Sequence, residues 1–403
     1  MSTENLITTE TPVDESNFQW GNIFTIIGGH FIHDTYSAFV APLLPLIIEK
    51  LSISLTMAGG LSAIMQFPAV LNPFIGYIAD RVNMRFFVIF APAVTASLIG
   101  LMGYAPNYGS LAFLFFLIGL SSASFHAPAP PMVATNSGKQ VGRGMSLFMA
   151  AGELGRTLGP IIAVSAVAAW GLEDLSRLIV IGWASSLIMF WRFRNGSAQK
   201  QTKRTPSSVR AILPTLVTFF VPISIVVLAR SFLAVNVTTF LPTFLTSEGA
   251  TLAQGGIMLA ILEGGGVLGA ITSGTISDKI SRKTTLILTF ILSVIFSLLF
   301  LQTNNWLSIP ILFLLGFFSL APGPVLLALV QDHYPNHRAV ANGLYMAISF
   351  VVRSIALLLI GLAGDTWGLR VTFYGSAAIS LIAIPATLVL TARNKNPSQL
   401  THG

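Results

Sequence analysis

The sequence predicts an all-α membrane protein with twelve transmembrane helices in two pseudo-symmetric six-helix bundles, and three observations carry that prediction. First, only 9% of the 403 residues are charged while 53% are hydrophobic. Soluble chains carry about 25% charged residues, so a surface this poor in charge does not suit water on all sides. Second, twelve apolar stretches are long enough to span, given that a helix crosses ~30 Å of hydrocarbon with about 20 apolar residues. Third, one polar stretch at mid-chain divides those twelve into six and six.

Taken in order, residues 1–20 form a polar tail with four acids (Glu4, Glu10, Asp14, Glu15) and no base. A secretory signal starts with basic residues, so the first apolar helix is expected to be retained. The first bundle, 21–193, holds spans at 22–48, 55–79, 86–104, 109–133, 143–169 and 175–193. Residues 194–210 read as a cytoplasmic linker. The second bundle, 211–391, holds spans at 212–245, 253–276, 283–302, 306–330, 341–363 and 371–391, and 392–403 form a tail. Helices are expected because each satisfies its own backbone groups within one segment in lipid.

Charge orients the chain. Sixteen of the 22 Lys and Arg fall on loops after even-numbered spans or in the C-terminal tail, and three (Lys50, Arg177, Arg370) fall on the other side. Positive loops mark the cytoplasm, so both termini are expected there. The net charge of +7 therefore has a membrane explanation, and no basic stretch with interleaved aromatics suggests nucleic acid. With no cysteine, disulfides, thiol nucleophiles and thiolate metal sites are excluded. No G-x-x-x-x-G-K-[ST], H-E-x-x-H or G-x-S-x-G run occurs, so an ATP-driven pump or a hydrolase is not supported. No cofactor or metal is expected. The expected partners are the lipid bilayer, a small-molecule substrate and protons, with the chain as a monomer.

The halves repeat. Gly76-Tyr-Ile-Ala-Asp80-Arg81-Val-Asn-Met-Arg85 closes span 2, and Gly274-Thr-Ile-Ser-Asp278-Lys279-Ile-Ser-Arg282-Lys283 closes span 8, 198 residues later. Ala127-Pro-Ala-Pro130 in span 4 is echoed by Ala321-Pro-Gly-Pro324 in span 10, at an offset of 194. Duplicated halves commonly place substrate between them near the bilayer midplane.

Ionisable residues within spans cost at least ~2.5 kcal/mol each and mark function by default. There are three acids (Asp34, Glu153, Glu263) and three arginines (Arg156, Arg230, Arg353). The balance suggests pairing in a wet central cavity. His30, Asp34 and Ser37 share one face of span 1 at i, i+4, i+7. Asp34, with His30 and His33, is a candidate proton carrier or a structural hydrogen-bonder. Glu153 and Arg156, at i, i+3, fit either a fixed salt bridge or a switch in which protonated Glu153 frees Arg156 for an anion. Arg156, Arg230 and Arg353 suit a carboxylate or phosphonate, with Glu263 and Tyr36 as further candidate substrate contacts. His126 precedes the proline run of span 4.

Gly76-x-x-x-Asp80-Arg81-x-x-x-Arg85 resembles the signature loop of the major facilitator superfamily, with Asn83 where glycine is usual. Gly155-x-x-x-Gly159-Pro160 is similar to the antiporter motif of its drug–proton exchangers, although Ala163 and Val164 replace the usual following glycines. His33-Asp34 and the run Gly119 to His126 resemble the fosmidomycin-resistance branch. The resemblance implies the major facilitator fold, gating by Gly76, Asp80, Arg81 and Arg85 with Gly274, Asp278 and Arg282, and His126 lining the route. It also implies export of a small molecule against inward proton flow, from a bacterial inner membrane. An importer of a sugar or organic anion shares the same sequence physics, and a channel is disfavoured by duplicated gates.

Overall fold

The computed structural model describes residues 17–72, 75, 78, 84–194, 213–335 and 337–392. Gly76, Asp80, Arg81 and most of the expected linker and tails lie outside the described residues. Within them every regular element is helical. Among the described residues eleven helices are long and apolar enough to cross a membrane, and a twelfth, Leu55–Leu71, is shorter. In chain order the first bundle comprises α1 (Trp20–Leu51), α2 (Leu55–Leu71), α3 (Arg85–Tyr104), α4 (Tyr108–Asn136), α5 (Val141–Trp170) and α6 (Glu173–Phe193). The second comprises α7 (Thr218–Ser247), α8 (Leu252–Lys279), α9 (Arg282–Gln302), α10 (Ser308–His333), α11 (Ala341–Trp367) and α12 (Leu369–Leu390). Asn72, Ile75 and Ile78 continue α2 as helix.

Large apolar side chains cover the outside, among them Trp191 at 71%, Val180 at 67% and Phe113 at 62% exposure. Such a belt suits lipid and not water. The chain is an integral, multi-pass membrane protein.

Prolines set the breaks that shape the centre, because each lacks an N–H and clashes with the preceding turn. α1 is interrupted at Ala38-Phe39, ahead of Pro42 and Pro45. α4 is interrupted at Ala127-Pro128, immediately after His126. α10 restarts at Pro322. α7 carries a π-turn over Asn236–Phe240 just before Pro242. The breaks in α1, α4, α7 and α10 fall on the first helix of each three-helix unit, and α12 is interrupted as well, at Leu381-Ile382 ahead of Pro385.

Packing repeats too. A Cβ at Gly119 of α4 would lie 1.9 Å from the Met65 carbonyl oxygen of α2, and one at Gly316 of α10 would lie 1.9 Å from the Leu262 carbonyl oxygen of α8. Both members of the second pair sit 197 residues after those of the first (316 − 119 and 262 − 65). Small residues allow this close approach, which replaces the hydrophobic drive missing between helices in lipid.

The two bundles meet along α5–α8 and α2–α11. Leu43, Leu44, Leu61, Phe240, Phe244, Leu357 and Ile360 join one core shared by both halves, on the face that carries Lys50 and Arg370. Toward the chain termini the core splits into one cluster within the first bundle (Ile23, Val88, Phe125, Phe148) and another within the second (Phe219, Phe290, Val325, Leu329). The halves are thus sealed together on one face and packed separately toward the other. The seal ends in a polar latch. Asp365 of α11 accepts from the Leu55 and Thr56 amides at 2.7 and 2.8 Å and from the Thr56 hydroxyl at 2.5 Å. These are orphan donors at the first turn of α2, where a carboxylate is favoured.

Candidate functional site: a central cavity and a neighbouring His–Asp cluster

Between the bundles lies a cavity of about 440 Å³. Its polar lining includes Gln66 of α2, Arg156 of α5, Glu263 of α8 and Arg353 of α11. The repeat generates this set, since 263 − 66 and 353 − 156 both equal 197. Two arginines, one carboxylate and one amide therefore form a pseudo-two-fold ring. Arg156 pairs with Glu153 one turn back while 46% of its side chain stays accessible. Arg353 Nη2 donates to the Thr238 hydroxyl at 3.2 Å, and that hydroxyl donates to the Ala234 carbonyl at 2.7 Å. The π-turn brings Thr238 and Thr239 to the cavity wall. Glu263 is within electrostatic reach of Arg156, Arg353 and Glu153. The ring itself carries one excess positive charge, which Glu153 behind Arg156 offsets, and it presents donors and one carboxylate to an occupant.

The other expected site residues divide. Arg230 lies off the cavity wall, with Nη2 3.3 Å from where a Gly323 Cβ would sit, and in electrostatic contact with Tyr345. Tyr36, expected to touch substrate, is instead buried inside the first bundle and donates to the Leu178 carbonyl. Its hydroxyl is spent on tying α1 to the start of α6. Ser37 does reach the cavity, its hydroxyl bonded to the His33 carbonyl at 3.0 Å.

His30, Asp34 and His126 gather beside the cavity, in the first bundle. The Asp34 carboxylate lies 3.3 Å from His30 Nε2 through Oδ2 and 3.3 Å from His126 Nε2 through Oδ1. His30 Nδ1 faces the Phe148 carbonyl at 2.8 Å, and His126 Nδ1 faces the Ser122 carbonyl at 2.9 Å. His33 turns to Thr95, 3.1 Å from its hydroxyl, and stacks on Phe125. Gly152 of α5 makes room for this cluster, since a Cβ there would come within 2.4 Å of the His30 ring and 3.0 Å of Asp34 Oδ2.

The glycines of the α5 motif are set by contact with α1. A Cβ at Gly155 would lie 2.6 Å from the Phe31 carbonyl oxygen, and one at Gly159 would lie 2.7 Å from that of Thr35. Backbone cannot yield cheaply, so Gly155→Ala should cost about 1–3 kcal/mol by overpacking. Lower thermal stability in detergent checks this, and unchanged stability would disprove the tight contact.

The loop after α8, expected to act as a gate, is tied down by ion pairs. Arg282 pairs with Asp278 at 2.5 Å and with Asp332 of α10 at 3.1 Å, joining the start of α9 to α10. In the first copy Arg85 donates to the Arg194 carbonyl at 3.1 Å. Gly274, by contrast, has no atom within 4 Å of an added Cβ. Packing here does not need it, and alanine suits a helix better by up to about 1 kcal/mol. Gly274→Ala should therefore leave folding intact or improve it, yet slow turnover if that glycine is packed closely in the opposite conformation. Wild-type turnover in proteoliposomes would sink the gating role.

Sequence reasoning missed Gln66, Thr238, Thr239 and Asp365. Gln66 follows from the 197-residue offset applied to Glu263. Asp365 gave no signal, because an exposed loop-end acid has no distinctive spacing.

The comparisons with known proteins agree with this architecture. The family model described as Major Facilitator Superfamily matches residues 26–300 and 223–402. The fosmidomycin resistance protein of Escherichia coli (strain K12) is 20% identical over 384 residues, covering 93% of this chain and 94% of that protein. The multidrug resistance protein MdtG of Rahnella sp. (strain Y9602) is 28% identical over 161 residues, covering 38% of this chain and 39% of that one. Among solved structures, a bacterial homolog of the human lysosomal transporter Spinster, inward-facing and occupied, superposes with a TM-score of 0.78 at 12% identity, covering 93% of this chain and 97% of it. A mutant of the nucleoside transporter NupG superposes with a TM-score of 0.74 at 13% identity, covering 91% and 99%. The chain belongs to the Major Facilitator Superfamily and is a membrane transporter, not an enzyme.

Proposed function

We propose that the chain exports a small, drug-like or anionic solute in exchange for protons, by alternating access through the central cavity. The observation that carries this is the Glu263 carboxylate in a cavity that also presents Arg156 and Arg353. The arginines suit a carboxylate, phosphate or phosphonate group. Glu263 suits a donor group on the same solute, and a proton competes with that donor. When one ligand displaces the other, each carries the other's free energy across, which is the requirement for exchange. The shared core closes one face, and the termini, marked by basic loops as cytoplasmic, lie on the other. That arrangement corresponds to a cavity facing the cytoplasm of a bacterial inner membrane. Two relatives bear resistance names, which supports the outward direction.

The Glu153–Arg156 pair favours a second reading. Protonating Glu153 frees Arg156, so an anion that binds Arg156 would travel with the proton, as in an importer. The sign of the proton change separates the two. Solutes are added to purified protein in weak buffer with a pH dye. Proton release supports exchange, uptake supports cotransport, and a flat response across anionic, zwitterionic and amphiphilic solutes removes both.

A further inference from the structure

We propose that His30, Asp34 and His126 form a binding site for a divalent transition-metal ion of the Zn²⁺ class. The site is separate from the solute cavity, and its existence does not depend on the transport reading. The three ligand atoms lie within 4.8 Å of one another. Both rings are oriented by their far nitrogens, which lie 2.8 Å from the Phe148 carbonyl and 2.9 Å from the Ser122 carbonyl. A carbonyl only accepts, so each Nδ1 carries the hydrogen. In the neutral ring Nε2 is then a bare lone pair. Both lone pairs point at a carboxylate that is itself acceptor-only, 3.3 Å away on each side. Asp34 Oδ1 is buried with no hydrogen-bond partner among the described residues. Three acceptors turned on one point are stable only with positive charge among them.

The donor set fits a metal. Two imidazoles and a carboxylate are the three-protein-ligand arrangement of open zinc sites, leaving a fourth position for water. Nitrogen and oxygen donors suit Zn²⁺, Co²⁺, Ni²⁺ and Cu²⁺ better than Mg²⁺. Ligating histidines characteristically donate their other N–H to a backbone carbonyl, as both do here. Phe125 and Phe148 pack against the rings and supply an apolar wall. The His126 side chain is 37% accessible, which opens the cluster on one side. Gly152 leaves the space that a side chain on α5 would take from His30. His33 and Arg156 are the other ionisable groups within electrostatic reach of the cluster.

The test uses Co²⁺ on the purified full-length protein in detergent. The absence of cysteine removes thiolate sites from the background. One Co²⁺ per chain should bind with the intense visible bands of a four-coordinate ion, and Zn²⁺ should displace it. His126→Gln should weaken binding by at least about tenfold, while His337→Gln, in the second bundle, should not. His126 is the ligand of choice because it is the most accessible of the three, and metal-free thermal unfolding of that variant shows that it folds. Only the weak spectrum of six-coordinate Co²⁺ up to millimolar metal, or equal binding by His126→Gln, would overturn the proposal. Either result leaves solute-driven proton exchange untouched, and a flat pH response leaves the metal site untouched.

Discussion

Glu263→Gln is expected to abolish solute-driven proton release and to remove protection of cells by at least about 100-fold, equivalent to ~2.7 kcal/mol of lost coupling. The substitution keeps the shape and a hydrogen-bonding group in the cavity, but removes the carboxylate for which, in the proposed mechanism, proton and solute compete. Binding itself should survive, because Arg156 and Arg353 are retained. The discriminating result is therefore solute binding without release of protons. A variant that still releases a proton per solute would show that the proton resides elsewhere. Glu153→Gln supplies the contrast. It frees Arg156 without touching Glu263, so it should tighten an anionic solute and preserve release.

Asp365→Ala is the second large effect. The carboxylate takes three donors of α2 across the bundle boundary, and the variant leaves two amides at the first turn of α2 to water. Hydrogen bonds to a charged group are worth about 1.5–3 kcal/mol when sheltered. Asp365 is exposed, so solvent screening reduces that figure. Even a discounted total of ~1.4 kcal/mol is a tenfold change in a two-state population. The variant should favour the conformation opened on the latch face. Distances between spin labels placed near Lys50 and Arg370 would lengthen. An unchanged distance distribution would show that the shared apolar core alone holds the seal.

Much of the architecture is readable from the chain because lipid imposes a simple rule on each span. Helix existence follows from apolar length, and the breaks follow from Pro128, Pro242 and Pro322. Near the site, legibility depends on sequence distance. Glu153 and Arg156 are one turn apart, and their pairing was foreseeable. Asp34 and His126 are 92 residues apart (126 − 34), so no spacing rule reveals their meeting. Local periodicity put Ser37 on the face of Asp34, and Ser37, one turn further along the same helix, lines the cavity while Asp34 meets the histidines. Tyr36 was misplaced for a related reason. An aromatic in a central helix looks like part of an apolar solute wall, whereas here its hydroxyl donates to the Leu178 backbone carbonyl of a neighbouring helix.

The glycine contacts at the boundary between the halves have a mechanical consequence. A Cβ at Gly59 would lie 2.4 Å from the Leu357 oxygen, and one at Gly361 would lie 2.5 Å from the Leu55 oxygen. At those points main chain rubs on main chain, with no interlocking teeth to lift clear. Such a joint has no side chains to disentangle: once the Asp365 latch lets go, the two rigid levers can part there cleanly and close again on the same contact.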